Sequence, residues 1–181
     1  MDPSQLIAKY YKDLPKAHAI IKEHSRAVAG KAVNVARIAG LPDEEILFIE
    51  ESALLHDIGI LFTDAEELGC HGHLPYISHG YKGHDLLVRE GFPKHALVCE
   101  RHTGTGLTLS DIDNQKLDIP RRPMEPVSIA EKIICYCDKF FSKEPGFLTV
   151  EKSVGEVIAR IGAYGKDKEL IFIEWHNQFG K

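Results

Sequence analysis

Apolar residues recur at intervals of three and four along most of this chain, the spacing that gathers them onto one face of an α-helix. The pattern predicts a short helix from Ser4 to Leu14, closed by Pro15. A long one follows from Lys16 to Ala39, broken near His24-Ser25 and stopped by Gly40 as its C′ residue. Leu41-Pro42-Asp43-Glu44-Glu45 reads as a helix start, with proline in the first turn and acids at the positive end of the dipole. This third helix carries the chain to His56-Asp57, with Gly59 near its exit. Residues 60–77 read as a long loop with one turn at Asp64–Leu68, and loops of that length in compact domains tend to be functional. Ser78 is placed to cap a helix to Glu90, with Gly91 beyond it, and Pro93 opens another that ends at Thr103-Gly104. Residues 104–126 hold prolines, glycines and Arg121-Arg122, and read as a second long loop with a helical turn near Leu109–Lys116. Val127–Phe141 is a strong helix broken by Pro145-Gly146, and Glu151–Gly162 with Lys166–Phe179 make a closing pair over 149–179. No alternating strand of useful length occurs, so the expected fold is all-α, a single domain over residues 1–181.

Composition narrows the function more than the fold. A chain of 181 residues with 44% hydrophobic and 27% charged positions is an ordinary globular composition. A net charge of -5 speaks against a nucleic-acid binder, which needs a basic face for phosphates, but leaves room for a small phosphorylated substrate if a bound cation supplies the positive field. Cys70, Cys99, Cys135 and Cys137 contain no C-x-x-C pair, and read as free thiols of a reducing cytoplasm. No apolar run reaches the length of a membrane span, and the opening Met1-Asp2-Pro3-Ser4-Gln5 lacks a basic-then-apolar leader. The expectation is a soluble, cytoplasmic protein, with homodimerisation left open.

The chemistry centres on His56-Asp57. A carboxylate at the end of an apolar segment must be neutralised, hydrogen-bonded or bound to a cation, and the adjacent imidazole makes a divalent metal the concrete option. Asp138 falls on the apolar stripe Val127, Ala130, Ile134, Cys137, Phe141, so it too points toward a core. His79 shares a face with Gly83, whereas His84 lies about 140° round the helix and His95 sits near a helix start, both read as exposed. His102 ends a segment whose buried side is Leu97, Val98 and Cys99, and His24 stands between Ile20-Ile21 and Val28. His24, His56, Asp57, His79, His102 and Asp138 are too many for one catalytic metal, which keeps open positions. Two metals sharing Asp57 distribute them well, with His24, His56 and Asp138 on one and His79 and His102 on the other.

In that order, His24, His56-Asp57 and Asp138 resemble the HD-domain superfamily of metal-dependent phosphohydrolases, over about residues 20–142. His56-Asp57-Ile58-Gly59 is similar to the HDIG variant, and His79 and His102 resemble the extra ligands of its dinuclear branch. The chain is also similar to small uncharacterised HD hydrolases. The resemblance implies an HD-domain helical bundle with two long loops around a buried site. It also implies two divalent ions (Fe, Mn, Ni, Co, Zn or Mg), with Asp57 and His56 at the catalytic centre. The implied reaction is hydrolysis of a phosphate ester or anhydride on a small molecule, a nucleotide foremost. Dinuclear relatives carry a lysine just after HDIG where this chain has Ile60, and no Gly-Tyr-Pro follows His102. Lys82, Arg101, Arg121 and Arg122 are candidate phosphate holders, and His71 and His73 on the first long loop are candidate substrate contacts. Two alternatives share the constellation: a di-iron HD-type oxygenase acting on a small polar substrate, and a non-catalytic metal- or ligand-binding module.

Overall fold

The computed structural model describes residues 2–180, and most of these are helical. Its α-helices are α1 (Pro3–Tyr11), α2 (Pro15–Ile38), α3 (Asp43–Leu55), α4 (His79–Arg89), α5 (Pro93–Arg101), α6 (Leu109–Asn114), α7 (Ile129–Asp138), α8 (Val154–Gly162) and α9 (Lys166–Phe179). The segment between α3 and α4 holds short 3-10 turns and a two-residue antiparallel ladder, β1 (Asp64–Ala65) with β2 (Cys70–His71). No helix among the described residues is long and apolar enough to cross a membrane.

Helix α2 is the spine, and it runs unbroken through His24-Ser25. Neither residue is a breaker, and both sit on the buried stripe with Ile20, Ile21, Val28 and Ala32, so tertiary packing continues the helix where a break was expected. The chain leaves α2 in a Schellman turn: Gly40 takes a φ of 71°, its N–H donates to Arg37 O, and the Leu41 N–H donates to Ala36 O at 3.1 Å. Helix α4 ends the same way at Gly91, with the Phe92 N–H on Leu87 O at 2.8 Å. Ser78 does not cap α4. The 3-10 turn Tyr76–Ser78 gives Ser78 helical dihedrals, and its buried hydroxyl makes no hydrogen bond. Helix α7 begins later than the apolar stripe implies: Ser128 caps it by accepting from the Glu131 N–H, which leaves Val127 outside the helix and 69% exposed.

Two apolar clusters form the interior. One joins α2, α3, α7, α8 and α9 around Ile133, Tyr136, Phe140, Phe172 and Trp175, so the closing helical pair covers α7. The other joins α1, the start of α2, α4 and α5 around Tyr11, Ile21, Leu55, Ile58, Leu86 and Leu87. His24 lies on α2 between Ile21 of the second cluster and Val28 of the first, and the polar site is built at that junction.

Candidate metal centre

Six side chains meet at the junction, all with 7% exposure or less: His24 from α2, His56 and Asp57 from the end of α3, His79 from the start of α4, His102 just past α5, and Asp138 from the end of α7. The two oxygens of Asp57 face opposite halves. Oδ2 lies 3.1 Å from His56 Nε2 and 3.3 Å from His24 Nε2, while Oδ1 lies 3.4 Å from His102 Nε2 and 3.7 Å from His79 Nε2. Asp138 Oδ1 completes the first half, 3.1 Å from His24 Nε2 and 3.4 Å from His56 Nε2. His24, His56, Asp57 and Asp138 form one group of donors within 4.8 Å of one another, and Asp57, His79 and His102 form a second.

The outer faces of the imidazoles decide what the inner faces can do. Nδ1 of His56, His79 and His102 lies 2.7, 2.6 and 2.7 Å from the carbonyl oxygens of Ala53, Tyr76 and Cys99, and His24 Nδ1 lies 3.2 Å from Ser142 O. A carbonyl only accepts, so each Nδ1 carries a proton, and a ring in its neutral form turns a bare Nε2 inward, the arrangement that orients metal-ligating histidines. The Nε2 atoms of His79 and His102 then face each other at 3.0 Å, two lone pairs that repel unless a cation lies between them or one ring is protonated. Burial and the neighbouring His102 push His79 down to about 3, and burial also lowers His102, so both favour the neutral form that binds metal. Both Asp57 oxygens and His56 Nε2 are wholly buried without a well-directed hydrogen bond. Donor types, ring orientation and orphaned atoms all fit divalent ions.

Two carboxylates set against two lysines define the field of the site. Burial alone would raise Asp57 and Asp138, but His56 and Lys143 beside the first, and Lys139 and Lys143 beside the second, hold both well below the usual carboxylate range. In return burial would depress His56, yet Asp57 and Asp138 outweigh it and lift the ring to about 9. Lys143 Nζ is 2.8 Å from Asp57 Oδ2, and Lys139 Nζ donates to Asp138 Oδ2 at 2.6 Å and to His102 O at 2.9 Å.

Neither lysine was singled out from the sequence. Lys139 follows Asp138 directly, which was a usable signal. Lys143 reaches Asp57 because the chain turns out of α7 after Asp138 and doubles back, bringing Ser142 O against His24. Ile60 is wholly buried in the second apolar cluster, so the cations beside the carboxylates come from the segment after α7 instead.

The other singled-out residues lie elsewhere. Arg101 donates from Nη1 to both oxygens of Glu131, at 3.0 and 3.1 Å. Arg122 donates to Glu100, through Nε at 2.8 Å, and exposed Arg121 pairs with Asp113 at 2.9 Å. His71 is exposed on β2, and exposed His73 shares a shallow groove with Lys82 and His84. His95 is half-buried, against Glu51 Oε2 at 3.2 Å and between the rings of Phe48 and Phe92, which corrects its reading as exposed.

The family model of the HD domain matches residues 21–142, a span that begins in α2, ends past α7 and contains all six residues of the centre. An uncharacterised protein of Methanocaldococcus jannaschii is 32% identical over 121 residues, covering 65% of this chain and 64% of that protein. A tRNA (cytidine(56)-2'-O)-methyltransferase of Picrophilus torridus is 31% identical over 97 residues, 53% of this chain and 25% of that enzyme. The chain thus spans less than two thirds of the length of either relative. No solved structure matches it.

Proposed function

The chain belongs to the HD-domain family, and we propose that it is a metal-dependent phosphohydrolase of the dinuclear branch, cleaving a phosphate ester or anhydride of a small molecule, a nucleotide foremost. The observation that carries this reading is Asp57, which turns one oxygen to each of two groups of inward-facing Nε2 atoms. His24, His56, Asp57 and Asp138 would hold one divalent ion, and Asp57, His79 and His102 the other. When bound, such ions supply Lewis acidity toward a phosphoryl oxygen and acidify water. Lys139 and Lys143 suit a phosphate, since a dianion brought to a cluster containing two carboxylates needs fixed positive charge beside it. The four cysteines are buried and unpaired, as suits a reducing cytoplasm.

Elemental analysis of the purified protein is expected to find divalent metal, and anaerobic incubation with a panel of nucleotides and phosphoesters to release phosphate. Dioxygen consumption with iron(II), in place of phosphate release, would overturn the reading in favour of an oxygenase. Chelation should lower the melting temperature. Ions present at 100 times their dissociation constant stabilise the native state by about 2.7 kcal/mol, or about 5–10 °C in a domain of this size. Unchanged melting after chelation, with no metal released, would count against the centre. Lys143→Met should lower kcat/KM by about 10–100-fold, the usual cost of losing a group just outside the ligands, with metal content retained. Wild-type kcat/KM in that variant would remove Lys143 from substrate binding.

A further inference from the structure

A cavity of about 370 Å³ opens directly off the metal centre, with His79 and Lys139 in its wall. The rest of that wall has a different chemistry. Leu107, Leu117 and Ile161 make it apolar, and Tyr76 and Tyr164 stand at its rim, 39% and 77% exposed. The Tyr76 ring already lies against His79, with centroids 4.7 Å apart. Thr105 belongs to the same wall, and its hydroxyl is buried with no hydrogen-bond partner. A buried hydroxyl left unpaired is costly, so this one points to a ligand group that meets it.

We propose that this cavity is the nucleoside subsite of the substrate, with a planar base stacked on the tyrosines and read by Thr105, and the phosphate turned toward Lys139 and the centre. The proposal rests on the phosphohydrolase reading for its phosphate end and on the cavity alone for its organic end. A bare sugar phosphate would present hydroxyls to leucine and isoleucine, which cannot pair them, whereas a base presents apolar faces and a polar edge. The cavity volume falls within the range of small-ligand sites.

The subsite is also held in shape. Buried Lys168 donates to Gly106 O at 3.0 Å and to the Asp111 carboxylate, tying the 103–107 loop to α6 and α9. Gly106 itself has a φ of 99°, and a Cβ there would stand 2.7 Å from Pro126 Cδ, so the loop is packed against the segment before α7.

Calorimetric titration of the purified full chain with adenosine, guanosine, cytidine and uridine, none of which can be hydrolysed at a phosphate, tests the subsite against ribose as control. At least one nucleoside is expected to bind while ribose does not. Tyr164→Ala should weaken that nucleoside about fivefold or more, the low end of what stacking a base on an aromatic side chain contributes. Thr105→Val, close to isosteric, should weaken it or change the order of preference among the four. Binding of no nucleoside, or wild-type binding by both variants, would overturn the proposal. The exposure of Tyr164 keeps its variant foldable, and circular dichroism checks both. Nucleoside binding by a protein that releases no phosphate from any ester keeps the subsite and removes the hydrolase. Phosphate release without nucleoside binding removes the subsite and keeps the hydrolase.

Discussion

Replacing Asp57 with alanine is expected to yield a folded protein that carries no metal and turns over no phosphate ester. Asp57 is the one residue common to both donor groups, so its loss leaves His24, His56 and Asp138 on one side and only two imidazoles on the other. Two neutral imidazoles facing each other at 3.0 Å are a poor site without the carboxylate that balances the charge of an ion between them. His79→Ala, in contrast, strips one group and leaves the other complete, and should retain part of the bound metal. For Asp57→Ala the fall in kcat/KM should be at least about a thousandfold, beyond the about 10–100-fold that follows loss of a merely orienting partner. The fold should survive. His56 can shed its extra proton, and Lys143 keeps Asp138 Oδ1 at 3.9 Å as a second partner for its charge. Elemental analysis and phosphate release, on protein whose circular dichroism matches the parent, decide the matter. Full activity in metal-free Asp57→Ala protein would end the two-metal proposal.

Half of this convergence was legible because Asp138, His24 and His79 sit on helices whose buried face can be read from spacing. Asp138 follows Ile134 by four, His24 follows Ile21 by three, and His79 precedes Gly83 by four, so helical geometry alone turns all three inward. The helix stops at Gly40 and Gly91 were legible for a similar reason, since a left-handed residue after a helix favours glycine. What spacing could not supply is the partner of a long, flexible side chain. Arg101, Arg121 and Arg122 have the right charge for a phosphate, yet Glu131, Asp113 and Glu100 engage them, and two of those three carboxylates are more than twenty residues away. Lys143 presents the converse case. It lies beyond the end of α7, where no helical period applies, and only the turn that carries Ser142 to His24 brings its ammonium to Asp57. The cavity beside the centre was equally hidden, because its wall is drawn from four separate segments that meet only in the folded chain.

Gly59→Ala should be among the most damaging single methyls that could be added to this protein. Gly59 lies in the 3-10 turn Ile58–Phe62 that follows Asp57, and α4 passes directly over it. A Cβ at this position would fall inside contact distance of the His79 carbonyl oxygen and the Gly83 amide nitrogen, and stand 2.9 Å from Gly83 Cα. These obstacles are backbone, so no rotamer change relieves them, and the turn can only move away from α4. Overpacking of that kind costs about 3 kcal/mol or more, equivalent to a fall of about 6–12 °C in melting temperature. The displacement also separates Asp57 from His79 across the same contact, so bound metal should fall in a fraction of the protein that still folds. Gly83→Ala offers an internal control, because its added Cβ meets a side chain instead, the sulfur of Cys99. Trimming that sulfur with Cys99→Ala should recover part of the stability lost in Gly83→Ala and none of that lost in Gly59→Ala. Urea unfolding of the two single and two double variants measures the difference. Equal recovery in both backgrounds would mean that α4 yields as a unit and that backbone contact at Gly59 does not set its position.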